Sequence, residues 1–541
     1  IANAFSEYLC LPSSCSNNVP SPNLPRLPHS FFLFPSSSDK IVSAIRNLKN
    51  TSPGLDNICA HHLKMVAHFI SQPLTHIINL IYSKGSFPDS LKRAKVIPIF
   101  KKGDKDAIKN YRPISILSSL SKLIEHLFVK RLNAYLSKFN VIKPSQFGFR
   151  HGSSTNHALL SLTNFIKHSI DSGNFSGSVF LDLTKAFDTL NHSILFNKLE
   201  SYGITGPPLN FLKSYLFNRQ NVVFTGGSYS NTKITNQGVP QGSILGPLLF
   251  IIYINDLPDV ISSAHCVLFA DDTTVSCKAK TAPSLISKLN SVLINVVSWC
   301  NNNDLTINPS KTQFMIFRSP QKHLLTSAAL TMGPNTIYAC DSVSFLGVRL
   351  DITLNFGLHL SDIKKKTAFG IRALIKARPY FSTNALLSLY FSFVHSHFNY
   401  GITTWANTYH SYISSVQHIQ NQAIRIITFS PRRSNAISLL RQYNILCISK
   451  LFEFHCTCLF FNIINRRLPF DLINYDLLKN TNRTRFALEG SLLLPRVRTN
   501  YGIKSLSFTA ISLWNSIPPN IKSLTDLYTF KKTLKLHLLS S

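Results

Sequence analysis

Two adjacent aspartates, Asp271 and Asp272, lie inside the apolar run HCVLFADDTTVSC. The flanking runs HCVLFA and TTVSC are short and β-rich, which predicts a β-hairpin with both acids at its tip. Neighbouring carboxylates repel each other unless a cation lies between or beside them, so the pair indicates a divalent metal site, most simply Mg2+ with hard oxygen ligands. Taken alone, the pair fits an ordinary polar hairpin turn better.

A third acid occurs in a similar setting. The stretch SVFLDLTKAFDTLNH (178–192) predicts an apolar strand that delivers Asp182 at its end, followed by a turn and a helical pattern through Ile194, Leu195 and Leu199. One aspartate at a strand end and two at a hairpin tip form the set that two-metal phosphoryl transfer needs, with the ions about 3.5 to 4 Å apart. We therefore expect the three carboxylates to converge.

Between these acids lies a loop punctuated by glycine and proline, NQGVPQGSILGPLLFIIYINDL (236–257), which runs into a strongly apolar helix. Gly238 and Gly242 flank Gln241 and would let another backbone or a base pair approach closely. Gln241 would then contact a ligand that lies against the loop. Alone, the segment fits any glycine-rich turn.

The composition of the chain narrows the class of partner. The 541 residues are 44% hydrophobic, which is enough for two or three domains with sizeable cores. Lys and Arg total 56 against 24 Asp and Glu, a formal net charge of +32, and nucleic acid is the leading partner for so basic a chain. A solvated basic surface and an acidic membrane are the alternatives. The longest apolar runs, such as ILGPLLFIIYI, are too short to span a bilayer, so we expect no membrane segment.

Cysteine usage and the first residues suggest the compartment and the context of the chain. The ten cysteines are scattered without a CxxC pair, which argues against disulfides and a zinc site and indicates a reducing compartment. The HCTC stretch (455–458) lies in an apolar helical pattern and is interpreted as buried core. The chain begins at Ile1, and residues 1–38 are rich in Ser, Pro and Asn, so we interpret them as a linker remnant of something longer.

The segments with potential chemistry also resemble a known family. LDLTKAFD, GVPQGSILGP and FADD, in this order and spacing, look like motifs A, B and C of reverse transcriptases from non-LTR, LINE-type retrotransposons, particularly the jockey-like ones. The resemblance continues through SPGLDNICAHHLK (52–64), AKVIPIFKKGDKDAIKNYRPISILSSLSKLIEHL (94–127), QFGFRHGSSTNHAL (146–159), WCNNNDLTINPSKTQFMIF (299–317) and FLGV (345–348). It implies an α+β, right-hand polymerase fold of fingers, palm and thumb, with an antiparallel palm sheet and a helical C-terminal region.

The same resemblance implies an order of domains. We expect an N-terminal helical extension at 39–93, the fingers and palm at 94–350, a helical thumb at 351–430, and a C-terminal helical region of unknown role at 431–541. In the last two regions the sequence itself predicts little more than apolar helices, with Trp405 and Trp514 as core anchors.

The resemblance implies a role for each residue of the candidate active site. Asp182, Asp271 and Asp272 match the family's metal-binding catalytic acids, which hold two Mg2+ ions, with Mn2+ as an alternative. Phe187 matches the steric gate that excludes a 2′-hydroxyl, although a core aromatic is the other interpretation of it. Gln241 with Gly242 matches the motif that contacts the incoming nucleotide.

The resemblance assigns further cations to the nucleotide. Lys101 and Arg112 fall where the fingers hold the triphosphate, which suits a bidentate guanidinium, and Lys102 could replace Lys101. Lys311 matches the lysine proposed as general acid to the leaving pyrophosphate, although a surface lysine on a loop fits the pattern almost equally well.

Other residues are expected to hold the primer and the template. They are Arg150, the primer-grip residues Phe345, Leu346 and Gly347, and the thumb cations Lys364, Lys365, Lys366 and Arg372. Helical cations of this kind suit phosphate tracking along a duplex, and a merely solvated face is the alternative. The expected partners are an RNA template, a DNA primer or nicked target DNA, and deoxynucleoside triphosphates, with no membrane.

The function that follows is RNA-templated DNA synthesis on a DNA primer, in target-primed reverse transcription. A catalytically decayed fragment that only binds nucleic acid is the alternative, and an RNA-templated RNA polymerase is disfavoured by Phe187. We see no endonuclease or ribonuclease H motif set and expect that an upstream endonuclease is missing. Such a protein would be intracellular, acting in the nucleus and also present in the cytoplasm as a ribonucleoprotein.

Overall fold

The computed structural model describes residues 1–9, 26–323, 328–473 and 491–540. The fold mixes helices and sheets, and it divides into two compact units. The first unit comprises residues 1–149, 182–261 and 295–308, and the second comprises 150–181, 262–294 and 309–541. None of the helices in the described ranges is long and apolar enough to cross a membrane.

The first unit is built on a five-stranded sheet. Its helices are α1 (Ala2–Leu9), α2 (Ser38–Arg46), α3 (Ala60–Met65), α4 (Ala67–Lys84), α5 (Ser119–Lys138), α7 (His192–Ser201), α8 (Gly206–Leu216), α9 (Leu245–Tyr253) and α10 (Leu257–Val260). Its strands are β1 (Arg93–Phe100), β2 (Tyr111–Leu117), β4 (Arg219–Thr225), β5 (Ser228–Tyr229) and β6 (Lys233–Thr235). Strand β1 pairs antiparallel with β2 and parallel with β4, and β4 also pairs with β5 and β6.

Apolar contacts between elements stabilise the first unit. On the sheet, Val96 of β1 and Val223 of β4 pack with Phe5 of α1, a helix inside the segment that the sequence indicated as linker. Away from the sheet, the rings of Phe128 in α5 and Phe211 in α8 stack with their centroids 4.6 Å apart. Because amphipathic helices gain most of their stability from such packing, these contacts fix α1, α5 and α8 in place.

The second unit contains an antiparallel four-stranded sheet in the order β7-β8-β3-β9. The strands are β3 (Phe175–Leu181), β7 (His265–Phe269), β8 (Asp272–Ala279) and β9 (Gln313–Phe317), with two hairpins formed by β10 (Ala329–Met332) and β11 (Asn335–Tyr338) and by β12 (Ser342–Phe345) and β13 (Val348–Asp351). The helix α11 (Ala282–Asn302) follows β8. Its Leu289 lies so close to β3 that a Cβ added to Gly177 would be 2.6 Å from the leucine side chain.

The other regular elements in the described residues of the second unit are helices. Its helices are α6 (Thr155–Asp171), α12 (Gly357–Ala377), α13 (Thr383–Tyr390), α14 (Ser396–Asn399), α15 (Ile402–Trp405), α16 (His410–Ile427), α17 (Ala436–Gln442), α18 (Ile448–Ile464), α19 (Asn500–Ile503), α20 (Leu506–Ser516), α21 (Pro519–Lys522) and α22 (Leu527–Ser540), with a π-helical turn at Phe391–His395. Trp405 and Trp514 are buried, which confirms the prediction that they anchor cores. Cys456 and Cys458 of the HCTC stretch are also buried, as expected.

Candidate active site

The four-stranded sheet ends in a tight hairpin that carries the paired aspartates. Strands β7 and β8 pair so that Phe269 faces Asp272, and Ala270 and Asp271 form the turn. Ala270 adopts a φ of 57°, a left-handed conformation that this tight connection requires. Both carboxylate residues are exposed, so the predicted hairpin with acids at its tip is confirmed.

The third aspartate follows the neighbouring strand. The last residue of β3, Leu181, pairs with Thr273, and Asp182 is the next residue in the chain. Strand β3 therefore ends at the edge of the sheet where the hairpin turns. Beyond β3, the backbone carbonyl of Asp182 accepts a hydrogen bond from the backbone N–H of Asn308, at 2.8 Å. The prediction of an aspartate at a strand end is confirmed.

Lys311 lies at the corresponding end of the adjacent strand. Strand β9 starts at Gln313, which pairs with Phe180 near the end of β3. Lys311 is exposed in the turn just before β9, so it precedes the same edge of the sheet. Its role as a general acid stays a prediction.

The three acids supply hard carboxylate oxygens, which fit the ligand preference of Mg2+. In the ranges that the structure describes, however, no three His, Cys, Asp or Glu side chains are grouped closely enough to hold a metal ion. The chemistry of Asp182, Asp271 and Asp272 thus suits a divalent cation, while a preformed three-residue cage is not found among the described residues.

Phe187 lies in the turn after Asp182 and is half-buried. One face of its ring stacks on Phe250 of α9, with the centroids 4.5 Å apart and 28° between the ring planes. Its backbone carbonyl accepts a hydrogen bond from Val239 at 2.8 Å. Phe250 therefore packs against one face of the Phe187 ring, and the role of Phe187 as a steric gate stays a prediction.

The glycine-rich loop packs against two other backbone segments. A Cβ added to Gly238 would be 2.4 Å from the carbonyl oxygen of Asp188, and one added to Gly242 would be 2.5 Å from that of Ser115. Both glycines also have positive φ, 72° and 119°. The expected close approach of another backbone at these positions is therefore confirmed.

Gln241, between the two glycines, is held at both its backbone and its side chain. Its carbonyl accepts from the N–H of Ser115 at 2.7 Å, and its Nε2 donates to Oδ1 of Asp188 at 2.8 Å. Burial raises the pKa of Asp188, and the hydrogen bond from Gln241 and the charge of Lys185 oppose that rise. Asp188 was not singled out from the sequence, because nothing local signals a bond to a residue so distant along the chain.

A buried glutamate fixes the start of the helix that follows this loop. Oε2 of Glu125 accepts from the N–H of Ile244 at 2.7 Å and of Leu245 at 3.3 Å, and Oε1 accepts from Ser121 at 2.9 Å. Burial raises the pKa of Glu125, and the nearby guanidinium of Arg219 is the largest opposing influence. Glu125 was not singled out from the sequence, because nothing in the apolar stretch LIEHL shows that its partners lie at Ile244 and Leu245.

The two predicted triphosphate-binding cations lie at one end of the β1–β2 ladder. Phe100 pairs with Tyr111 and Ile99 pairs with Arg112, while the N–H of Lys101 donates to the carbonyl of Asn110 at 2.9 Å. Lys101 and Arg112 are both exposed. The hairpin therefore brings them to the same end of the strands, and their contact with a triphosphate stays a prediction.

The residues predicted to bind nucleic acid differ in accessibility. Lys364, Lys365, Lys366 and Arg372 are exposed on α12. The side chain of Phe345 is buried, whereas Leu346 and Gly347 form the β12–β13 turn with φ of 44° and 79°, so the turn is the accessible part of this segment. Arg150 donates from Nη2 to the carbonyl of Pro469 at 2.9 Å and is partly buried.

Comparison with known proteins identifies the domain that contains the three aspartates and the Gln241 loop. Residues 99–350 match the family model for reverse transcriptase (RNA-dependent DNA polymerase). The chain is 31% identical over 433 residues to the probable RNA-directed DNA polymerase from transposon BS of Drosophila melanogaster, a match covering 78% of this chain and 48% of that protein. It is 28% identical over 399 residues to the RNA-directed DNA polymerase from mobile element jockey of the same species, covering 70% and 42%.

The chain contains a reverse transcriptase domain. The resemblance to the polymerases of non-LTR retrotransposons is thereby confirmed, and with it a polymerase fold of mixed helix and sheet. The reverse transcriptase domain includes all three aspartates and the Gln241 loop, while the cations of α12 follow it in the chain. The chain spans about half the length of the curated relatives it matches.

Proposed function

We propose that this chain is an RNA-templated DNA polymerase that extends a DNA primer by two-metal nucleotidyl transfer. The observation that carries the proposal is the edge of the four-stranded sheet, where β3 ends before Asp182 and the β7–β8 hairpin turns at Asp271. The reverse transcriptase domain and the names of the relatives support an RNA template and deoxynucleotide substrates.

The proposal assigns the elements to the parts of a right-hand polymerase. The four-stranded sheet is the palm, the β1–β2 hairpin belongs to the fingers, and α12 begins the thumb. The primer is the 3′ end of nicked target DNA, as in target-primed reverse transcription. This choice of primer follows from the resemblance of the sequence motifs to those of non-LTR, LINE-type reverse transcriptases.

Each proposed residue has a defined chemical task. Asp182, Asp271 and Asp272 would hold Mg2+, which when bound activates the attacking oxygen and neutralises charge on the leaving one. The primer 3′-oxygen attacks the α-phosphorus of the nucleotide, the bond to pyrophosphate breaks, and Lys311 gives a proton to the leaving group. Phe187 crowds a 2′-hydroxyl on the incoming sugar.

The remaining cations serve binding. The guanidinium of Arg112 and the ammonium of Lys101 would contact the triphosphate oxygens, where charge-assisted hydrogen bonds are strongest. Their exposure at one end of β1 and β2 leaves both accessible to a ligand.

Primer extension on an RNA template tests the proposal directly. Asp182→Asn or Asp271→Asn should abolish extension while primer–template affinity stays within about twofold, because each removes a metal ligand rather than a backbone contact. The matched control is Asp341→Asn, at an exposed aspartate outside the proposed site, which should extend normally.

Other outcomes are equally informative. Extension by either variant at the wild-type rate would overturn the metal assignment. A wild-type protein that binds the duplex and never extends it would indicate a decayed copy, and a preference for ribonucleotides would indicate an RNA polymerase.

A further inference from the structure

The hydrogen bond between Asp188 and Gln241 determines which end of the glutamine amide is available to a ligand. An ionised carboxylate can only accept hydrogen bonds, so the group that lies 2.8 Å from Oδ1 of Asp188 must be the Nε2 donor of Gln241. The amide oxygen Oε1 is then the free end. No donor to this oxygen is found in the part of the chain that the structure describes.

The backbone on both sides of this bond is fixed. Ser115 donates to the carbonyl of Gln241 at 2.7 Å, which holds the base of the glutamine side chain. Gly238 approaches the carbonyl of Asp188 so closely that an added Cβ would be 2.4 Å from the oxygen. His192 Nε2 lies 2.8 Å from the carbonyl oxygen of Gly238. With the two backbones clamped, rotation of the Gln241 side chain is the main freedom that remains, and Asp188 limits it.

The same pair borders a polar cavity of about 60 Å³. Arg219 lines it and is only 3% exposed, and its Nε and Nη2 have no protein acceptor among the described residues. The carboxylate of Asp188 and the guanidinium of Arg219 both line this cavity. Burial raises the pKa of Asp188, while the hydrogen bond from Gln241 and the charge of Lys185 favour its ionised form, the form that accepts from Gln241.

We propose that Asp188 is a positioning residue that makes Gln241 present its amide oxygen, a hydrogen-bond acceptor, to the nucleotide or template in the polymerase site. This inference rests on the proposed function. It requires that the group recognised by Gln241 be a hydrogen-bond donor, such as an amino group of a base or a hydroxyl of a sugar. In the reversed orientation Gln241 would offer a donor instead, and that contact would be lost.

Two substitutions separate orientation from packing. Asp188→Leu keeps the approximate size of the side chain and removes the acceptor, whereas Asp188→Asn keeps an acceptor and removes the charge. We expect the Leu variant to raise KM for the correct deoxynucleotide about tenfold, the effect of losing one well-placed hydrogen bond, with kcat changed less than about threefold. The Asn variant should recover most of the loss, and misincorporation should rise only in the Leu variant.

A binding measurement keeps the inference testable without catalysis. The Kd of the correct deoxynucleotide is measured on a complex with a dideoxy-terminated primer, together with the melting temperature of each variant. A higher Kd for the Leu variant than for the Asn variant at equal melting temperatures supports the inference, including in a wild type that binds the nucleotide but does not extend primers. Unchanged Kd in the Leu variant, or equal losses in both variants, would overturn it.

Discussion

At the scale of single residues, Phe187 makes the sharpest prediction about substrate choice. Phe250 packs against one face of its ring, and the N–H of Val239 donates a hydrogen bond to its backbone carbonyl. Truncation of the side chain should therefore open the space that the ring now occupies while the backbone stays in place. Phe187→Val should therefore raise ribonucleotide relative to deoxynucleotide incorporation by about 1 to 3 kcal/mol in the ratio of kcat/KM, the usual scale for a pocket that excludes a small group. Single-nucleotide incorporation kinetics with both sugars measure this ratio.

The control for that experiment is another half-buried phenylalanine in the same unit. Phe196 lies on α7, and Nζ of Lys213 is 5.6 Å from the centroid of its ring. Phe196→Val should leave the sugar ratio unchanged. If Phe187→Val lowers incorporation of both sugars equally, Phe187 is a packing residue and the gate lies elsewhere.

The residues of the candidate site could be predicted where the sequence signal lies within one short segment, and not where it depends on a partner far along the chain. Asp182 and Asp271 were found because a strand pattern and a hairpin pattern each end at an acid. Asp188 lies inside a quoted motif and still went unassigned, because its partner Gln241 is 53 positions away. The fully buried Glu125 was missed for the same reason: its N–H partners at Ile244 and Leu245 lie far along the chain.

At the scale of elements, Glu125 is expected to be essential for the start of α9. Glu125→Ala would leave the N–H groups of Ile244 and the buried Leu245, and the hydroxyl of the buried Ser121, without their acceptor. Leaving a buried donor without its acceptor costs about 1 to 3 kcal/mol, so the urea midpoint of unfolding should fall clearly.

A conservative variant and a control variant show whether the loss of stability comes from the hydrogen bonds of Glu125. Glu125→Gln keeps one acceptor oxygen and should lose less stability than the alanine variant. Glu200→Ala removes an exposed carboxylate 3.7 Å from Lys213 and should change stability by less than about 0.5 kcal/mol. Equal midpoints for Glu125→Ala and Glu200→Ala would show that the cap does not stabilise α9.

The elements around the site were also predicted unevenly. The β7–β8 hairpin, the helix α7 and the apolar helix α9 follow from periodicity and turn residues in continuous segments. The parallel pairing of β1 with β4 could not be predicted this way, because pairing between distant strands leaves no periodic signal in either one. The helix α1 was missed because its packing partners, Val96 and Val223, lie on those same distant strands.

At the scale of the whole molecule, the net charge of +32 predicts strongly salt-dependent binding of primer and template. Each neutralised phosphate releases counterions, so log K should fall with log salt by roughly 0.7 to 0.9 per phosphate contacted. If α12 tracks the duplex, replacing Lys364, Lys365 and Lys366 with Gln should reduce that slope by about 2 without altering sequence preference. Fluorescence anisotropy over a salt series measures both slopes.

A matched set of cations tests whether the effect belongs to α12 or to the overall charge. Lys531, Lys532 and Lys535 lie on α22, and their replacement with Gln lowers the net charge by the same amount. Because counterion release depends on phosphates actually contacted, only the α12 set should change the slope. Equal changes for both sets would mean that the duplex is held by diffuse positive charge, and the assignment of α12 as a phosphate-tracking helix would then be wrong.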